Sequence, residues 1–198
     1  MKIIANRAEG YTYGSPDLPA SPLTLKDLEN LKATVGWTEE DERYLRLAGE
    51  VLADQTKQLV DHWRSRIIGN IPNLSRHSRT LEGERIPEYQ SRSGLRFEQW
   101  ILDTCLRLYD EEWLNYQQEI AVRHTSKKKN RTDGVSSTPY VPLRDVIAFI
   151  PVMNETIRPY LAAKGHGAED VEKMQRAWSK SLQMQVAIWA KAYDGDEW

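Results

Sequence analysis

The sequence predicts an all-α fold, and three observations carry that prediction. Apolar residues recur three and four positions apart over most of the chain, helix caps punctuate those runs, and no segment alternates apolar and polar as a half-buried strand would. With 198 residues, 40% of them hydrophobic and 28% charged, the chain suits a single domain with a sizeable core.

Residues 1–23 hold Gly10-Tyr-Thr-Tyr-Gly14 and then Pro16, Pro19 and Pro22, so they read as an irregular N-terminal arm ahead of one domain over residues 24–198. Thr24 caps a short helix from Leu25 to Val35, which Gly36 stops. Thr38-Glu-Glu-Asp41 forms a capping-box variant opening a long helical region to about Ile68, with Gly49 or the polar Asp54-Gln-Thr-Lys57 segment as the place where it breaks in two. Gly69 to Gly83 reads as a loop. Pro87 fits the first turn of a helix reaching about Tyr109, and Asp110 caps the next, which dissolves into Lys127-Lys-Lys129. That cationic run reads as a solvated helix end favoured by the macrodipole. A helix from Pro142 to Ala163 is expected to bend or end early at Pro151 or Pro159. Gly165-His-Gly167 separates it from a last helix, Glu169 to about Tyr193, striped by Val171, Met174, Trp178, Leu182, Val186 and Trp189.

Composition narrows the function. A formal net charge of -2 supplies no basic field for nucleic acid. The single cysteine, Cys105, excludes an internal disulfide and any multi-cysteine metal site, and fits a reducing compartment. No apolar run approaches the roughly 20 residues needed to cross a bilayer, and the first residues do not resemble a signal peptide, so a cytoplasmic protein without membrane partners is expected. Seven Trp and nine Tyr against two Phe suit helices lining something large and flat.

His124 is the position best placed for chemistry. Trp113, Tyr116, Ile120 and His124 share one helical face, and a neutral imidazole held on an apolar face can ligate a metal. Spacing alone suits a satisfied core histidine as well. The sequence has no phosphate-binding Gly-rich loop, no Rossmann glycines, no His-Glu-x-x-His zinc helix and no Gly-x-Ser-x-Gly elbow. A cofactor that brings its own remaining ligands stays open, and haem needs one protein bond to iron and a flat apolar slot.

Several segments, in order and spanning nearly the whole chain, resemble the protoglobins, single-domain haem globins related to the globin domains of globin-coupled sensors. They are Gly10-Tyr-Thr-Tyr-Gly14, Phe97-Glu-Gln-Trp-Ile-Leu-Asp-Thr104, Trp113-Leu-Asn-Tyr116, Val122-Arg-His124 with Lys127-Lys-Lys-Asn130 and Thr132-Asp133, Ala148-Phe-Ile150, and Val171-Glu-Lys-Met174 with Gln185-Val-Ala-Ile-Trp189. The resemblance implies a globin fold with an added N-terminal arm and pre-helix, haem b held by His124 as proximal ligand, and binding of diatomic gases. It places Phe97 over the haem, Phe149 and Met153 with Trp63 around the distal pocket, Tyr116 beside the cofactor, and Arg96 near a propionate. Tyr11 and Tyr13 fall in the arm that covers the haem edge, and the last two long helices would form a homodimer.

The chain departs from that pattern on the distal side. Protoglobins usually carry Trp-Tyr on the second globin helix, with the phenol near the ligand, and here the pair is Trp63-Arg64. Arg64 has three courses: to turn to solvent or a propionate, to donate to a bound ligand, or to hold an anion. The first is expected, because an uncompensated guanidinium against haem is costly. His77 as a sixth ligand is not expected, and His62 and His166 read as surface residues. A haem enzyme using peroxide, nitric oxide or group-transfer chemistry is the alternative to gas binding or sensing. A cofactor-free interaction module, pairing through the Val171 to Trp189 stripe, is the third reading.

Overall fold

Local capping sets the first two helices of the computed structural model, which describes residues 8–198. Thr24 and Asp27 exchange side-chain and backbone hydrogen bonds to start α1 (Leu25–Thr34), and Thr38 with Asp41 does the same for α2 (Glu39–Leu52). The chain then turns through Ala53–Gln55, where the Gln55 amide donates to the carbonyls of Val51 at 2.8 Å and Tyr160 at 3.1 Å. The long helical region therefore breaks at the polar segment. Gly49 is no break: a Cβ there would lie 2.6 Å from Leu106 Cδ2 and 2.7 Å from Cys105 Cβ, so its missing side chain lets α2 closely cross the later helix that ends at Leu106.

After α3 (Thr56–Asp61) the helix widens into a π-helical turn, His62–Ile67, and tightens into a 3-10 turn, Ile68–Asn70. The expected loop holds α4 (Pro72–Ser75), a 3-10 turn at Arg76–Ser78, and a lone β-bridge between Arg79 and Arg85. Pro87 opens α5 (Pro87–Leu106) and the Asp110 carboxylate caps α6 (Glu111–Val122). The helix expected over 142–163 is two. Pro151 is carried inside α7 (Leu143–Thr156), and the chain restarts as α8 (Arg158–Ala162), with Pro159 in its first turn where a missing N–H costs nothing. The chain's longest helix, α9 (Ala168–Trp189), ends the core and runs into a 3-10 turn at Ala190–Ala192.

The observed class is all-α, as predicted. Helix α9 packs against α2, α6, α7 and α8, and α2 also packs on α5. Between them lie fully buried Leu52, Leu59, Trp178 and Leu182. The described part of the arm, from residue 8, docks on this body: Ser21 N–H donates to Asn115 at 2.7 Å, and Tyr11 to the Asp103 carboxylate at 2.7 Å. No helix among the described residues is long and apolar enough to cross a membrane.

Candidate functional site

A cavity of about 680 Å³ lies between α3 with its π turn, α5, α6, α7 and the end of α9. Helical phase decides which residues reach it. Val60, Arg64 and Ile68 follow each other at intervals of four and border it. So do Tyr116, Ile120 and His124. From α7 come Val146, Phe149 and Met153, and from α5 Phe97 and Trp100.

His124 stands just past the assigned end of α6, its N–H still bonded to the carbonyl of Ala121 at 2.9 Å. Its Nδ1 is 2.8 Å from the carbonyl of Ile120. A carbonyl only accepts, so Nδ1 carries the proton and Nε2 keeps the basic lone pair on a ring that borders the cavity. Burial pulls the imidazole pKa down against that hydrogen bond, holding the ring neutral. The ring lies 6.2 Å from Trp189, nearly parallel at 17°. An aromatic wall continues from Trp189 through Trp100 to Phe97, with centroids 6.2 and 5.4 Å apart.

Two glutamines fix that wall, and sequence reasoning missed both. Gln185 accepts the Trp100 indole N–H at 2.8 Å and donates to Thr104 and Ser181, while Gln117 accepts the Trp189 indole N–H at 2.8 Å. Their signal in the sequence was slight: a glutamine on the same helical stripe as tryptophans.

Trp63 does not border the cavity. It sits one residue before Arg64, is fully buried, donates its indole N–H to Thr156 at 2.8 Å, and backs Phe97 at 5.3 Å. Tyr11 does not reach the cavity either. It meets Tyr116 edge-on at 5.4 Å, behind the wall, because its hydroxyl is drawn to Asp103. Tyr13 packs on Tyr116 in the same way, with the Arg107 guanidinium 4.2 Å from its ring.

The basic residues divide by partner. Arg96 makes a bidentate pair with Asp133, at 3.0 and 2.6 Å, and also donates to the carbonyl of Glu9, so the guanidinium expected beside a propionate is already engaged. Lys129, expected at a solvated helix end, is buried. Its ammonium donates to the Thr138 carbonyl at 2.8 Å, and burial pushes its pKa down to about 8. Lys128 instead reaches Glu119 at 2.6 Å. His77 borders the cavity with Nδ1 2.7 Å from the Thr138 hydroxyl and Nε2 3.5 Å from Asp145, and burial with nearby Lys129 pushes its pKa down to about 4.

Arg64 does not turn to solvent. Its head lies 5.9 Å from the centre of the Phe97 ring and donates to the Gln90 carbonyl at 3.3 Å. Among the described residues, no group of three or more His, Cys, Asp or Glu side chains could hold a metal ion, so a metal at His124 would have to bring its other ligands.

Comparison with known proteins gives one family. The family model described as Protoglobin matches residues 24–198. No curated protein matches the sequence at comparable strength. Among solved structures, the globin domain of a Geobacter sulfurreducens globin-coupled sensor superposes with a TM-score of 0.60. It is 15% identical, and the match covers 84% of this chain and 97% of that one, which places the two in the same fold.

Proposed function

Since the chain belongs to the protoglobin family, we propose that it holds haem b at His124 and binds a diatomic gas, oxygen, carbon monoxide or nitric oxide, at the opposite face of the iron. The observation that carries this reading is the tautomer of His124: Nδ1–H is spent on Ile120, and Nε2 is left as a neutral donor on a cavity wall. Haem supplies iron with a coordination position open to a small ligand.

The residues present fit the group. The cavity's 680 Å³ is in the range of sites that enclose a cofactor. Phe97, Trp100 and Trp189 offer a flat apolar flank that excludes water, and their indoles are tethered so that the flank keeps its shape. Phe149 and Met153 bound the cavity from α7. Lys129 supplies a buried ammonium with no carboxylate of its own, suited to a propionate; Arg96 would have to share itself with Asp133. We also read α7 and α9 as the face that pairs two copies of the chain, from the exposed Ile147 and the groove it forms with Pro151 and Val186.

The test is haem loading of the purified chain. One-to-one uptake, with a Soret band that shifts on reduction and again under carbon monoxide, is expected. His124→Ala is expected to lose the axial nitrogen signature in resonance Raman and to regain five-coordinate iron when imidazole is added. A chain that stays colourless after haem is supplied overturns the reading.

A further inference from the structure

Arg64 borders the cavity as a cation that pairs with none of the carboxylates lining it, Asp61, Glu98, Asp133 and Asp145. Its Nε is buried and has no hydrogen-bond partner among the described residues, and the Gln90 carbonyl takes one terminal nitrogen at a long 3.3 Å. Two arginines that border the same cavity are ion-paired, Arg96 with Asp133 and Arg123 with Glu119 at 2.8 Å. Burial pulls the Arg64 pKa down, and a guanidinium nevertheless keeps its charge at any ordinary pH. Holding that charge here is unfavourable unless something negative answers it. Lys129, which borders the same cavity with no carboxylate partner and lies 5.7 Å from the Tyr89 ring, adds to the excess of positive charge. Asp133, one of the charges Arg64 feels, has both carboxylate oxygens on Arg96.

The position of that charge relative to His124 gives it a use. Arg64 lies over Phe97, Phe97 leads through Trp100 to Trp189, and Trp189 stacks on His124, so the guanidinium and the imidazole occupy two ends of one aromatic wall. Hydrogen bonds in which the donor is ionised are shorter and about twice as strong as neutral ones, and a guanidinium offers them as a fork.

We propose that Arg64 makes the cavity select small inorganic anions, nitrite and azide being representative, over neutral ligands of the same size. This inference rests on the haem reading, since the other end of the anion would be held by iron. It adds a ligand class that diatomic gases do not represent.

The probe is azide, titrated optically into the ferric, haem-loaded full chain and compared with neutral imidazole on the ferric form and carbon monoxide on the ferrous form. Arg64→Leu is expected to raise the azide Kd tenfold or more, with imidazole and carbon monoxide changing less than about threefold. Arg64→Lys, which keeps the charge and loses the fork, should fall between. Arg64→Gln removes charge while keeping length and polarity, and carries the same comparison if the leucine variant does not fold. An azide Kd that moves less than threefold on loss of the charge overturns the inference, and so does a parallel loss for all three ligands, which would mark a change of cavity shape. Failure of the wild-type chain to take up haem would overturn the haem reading; haem uptake with azide binding indifferent to Arg64 overturns this inference alone.

Discussion

Residues of the cavity owe their positions to neighbours that never touch it. Gln185 joins α9 to α5 in a buried network: its oxygen accepts from Trp100, its nitrogen donates to Thr104 and Ser181, and Ser181 in turn meets the Tyr109 hydroxyl. A satisfied network of this kind is stiff because each member is costly to leave unpaired in a low-dielectric interior. Gln185→Leu keeps volume and strands the Trp100 indole N–H, so a loss of about 1–3 kcal/mol in denaturant unfolding is expected, with red-shifted tryptophan emission as the wall loosens. A loss under about 0.5 kcal/mol would show that the indole finds another acceptor. His124 is legible from helical spacing and from the family resemblance, whereas Phe97, Phe149 and Met153 are legible as pocket candidates from the resemblance alone; all four border the cavity. Sequence reasoning passed over Gln117 and Gln185, since a helical glutamine reads as solvent-facing until a partner across the helix interface is known. The resemblance sets Trp63 in the distal pocket and the cost of an uncompensated guanidinium argues for turning Arg64 away from it, although neighbouring residues on a helix face different sides and either one could be the residue that reaches the cavity. The structure turns Trp63 to the core and Arg64 to the cavity.

Helix boundaries were legible wherever the signal is local chemistry. Thr24, Thr38, Asp110 and Pro87 all open helices as their side chains dictate. Gly49 shows where local reading fails: a glycine suggests a break, and only the approach of α5 reveals it as a contact point. The π turn at His62–Ile67 has no sequence signature. Asp41 lies on the border of the two cases. Its capping role is written in Thr38-Glu-Glu-Asp41, but the same carboxylate also accepts from Lys180 of α9 at 2.8 Å, tying the start of α2 to the helix it packs on. Burial alone would raise its pKa; the hydrogen bonds from Lys180 and Thr38 outweigh burial and hold it below the ordinary 3.8. A carboxylate whose folded pKa is depressed gives stability that is present above its unfolded value and lost as pH falls through the folded one. Asp41→Asn is therefore expected to cost about 1–2 kcal/mol at pH 7, measured by urea unfolding. The gap to wild type should narrow as pH falls below about 4. A gap unchanged between pH 7 and pH 3 would mean that the charge contributes nothing.

At the scale of the whole molecule, the all-α class follows from patterns that run the length of the chain and the globin architecture from the family resemblance, and a candidate partner surface lies in what the helices leave uncovered. Helix α7 buries Ile150 and Met153 yet leaves Ile147 42% exposed, a β-branched side chain pointing away from its own core. It stands at a shallow groove with Pro151, Asn154 and, across it, Gln183 and Val186 of α9. Ala187, the next residue on α9, is also exposed, and a small side chain there admits close approach of a second helix. If two copies meet on this face, a two-fold axis sets the same α7 and α9 residues of each against the other, since a closed pair uses one self-complementary patch. An interface of standard size needs roughly 800 Å² from each partner, more than the groove alone, so both helices must contribute along much of their length. Sedimentation of the wild-type chain is then expected to give twice the 22.9 kDa protomer mass. Ile147→Glu should shift it to one protomer, because a like-charged pair is placed near the axis with no partner to neutralise it. Helix content and haem uptake should survive that change, as Ile147 lies outside both the buried core and the cavity lining. A wild-type chain that sediments as one protomer at micromolar concentration would leave α9 a core helix alone, its long apolar stripe already accounted for by α2, α6, α7 and α8.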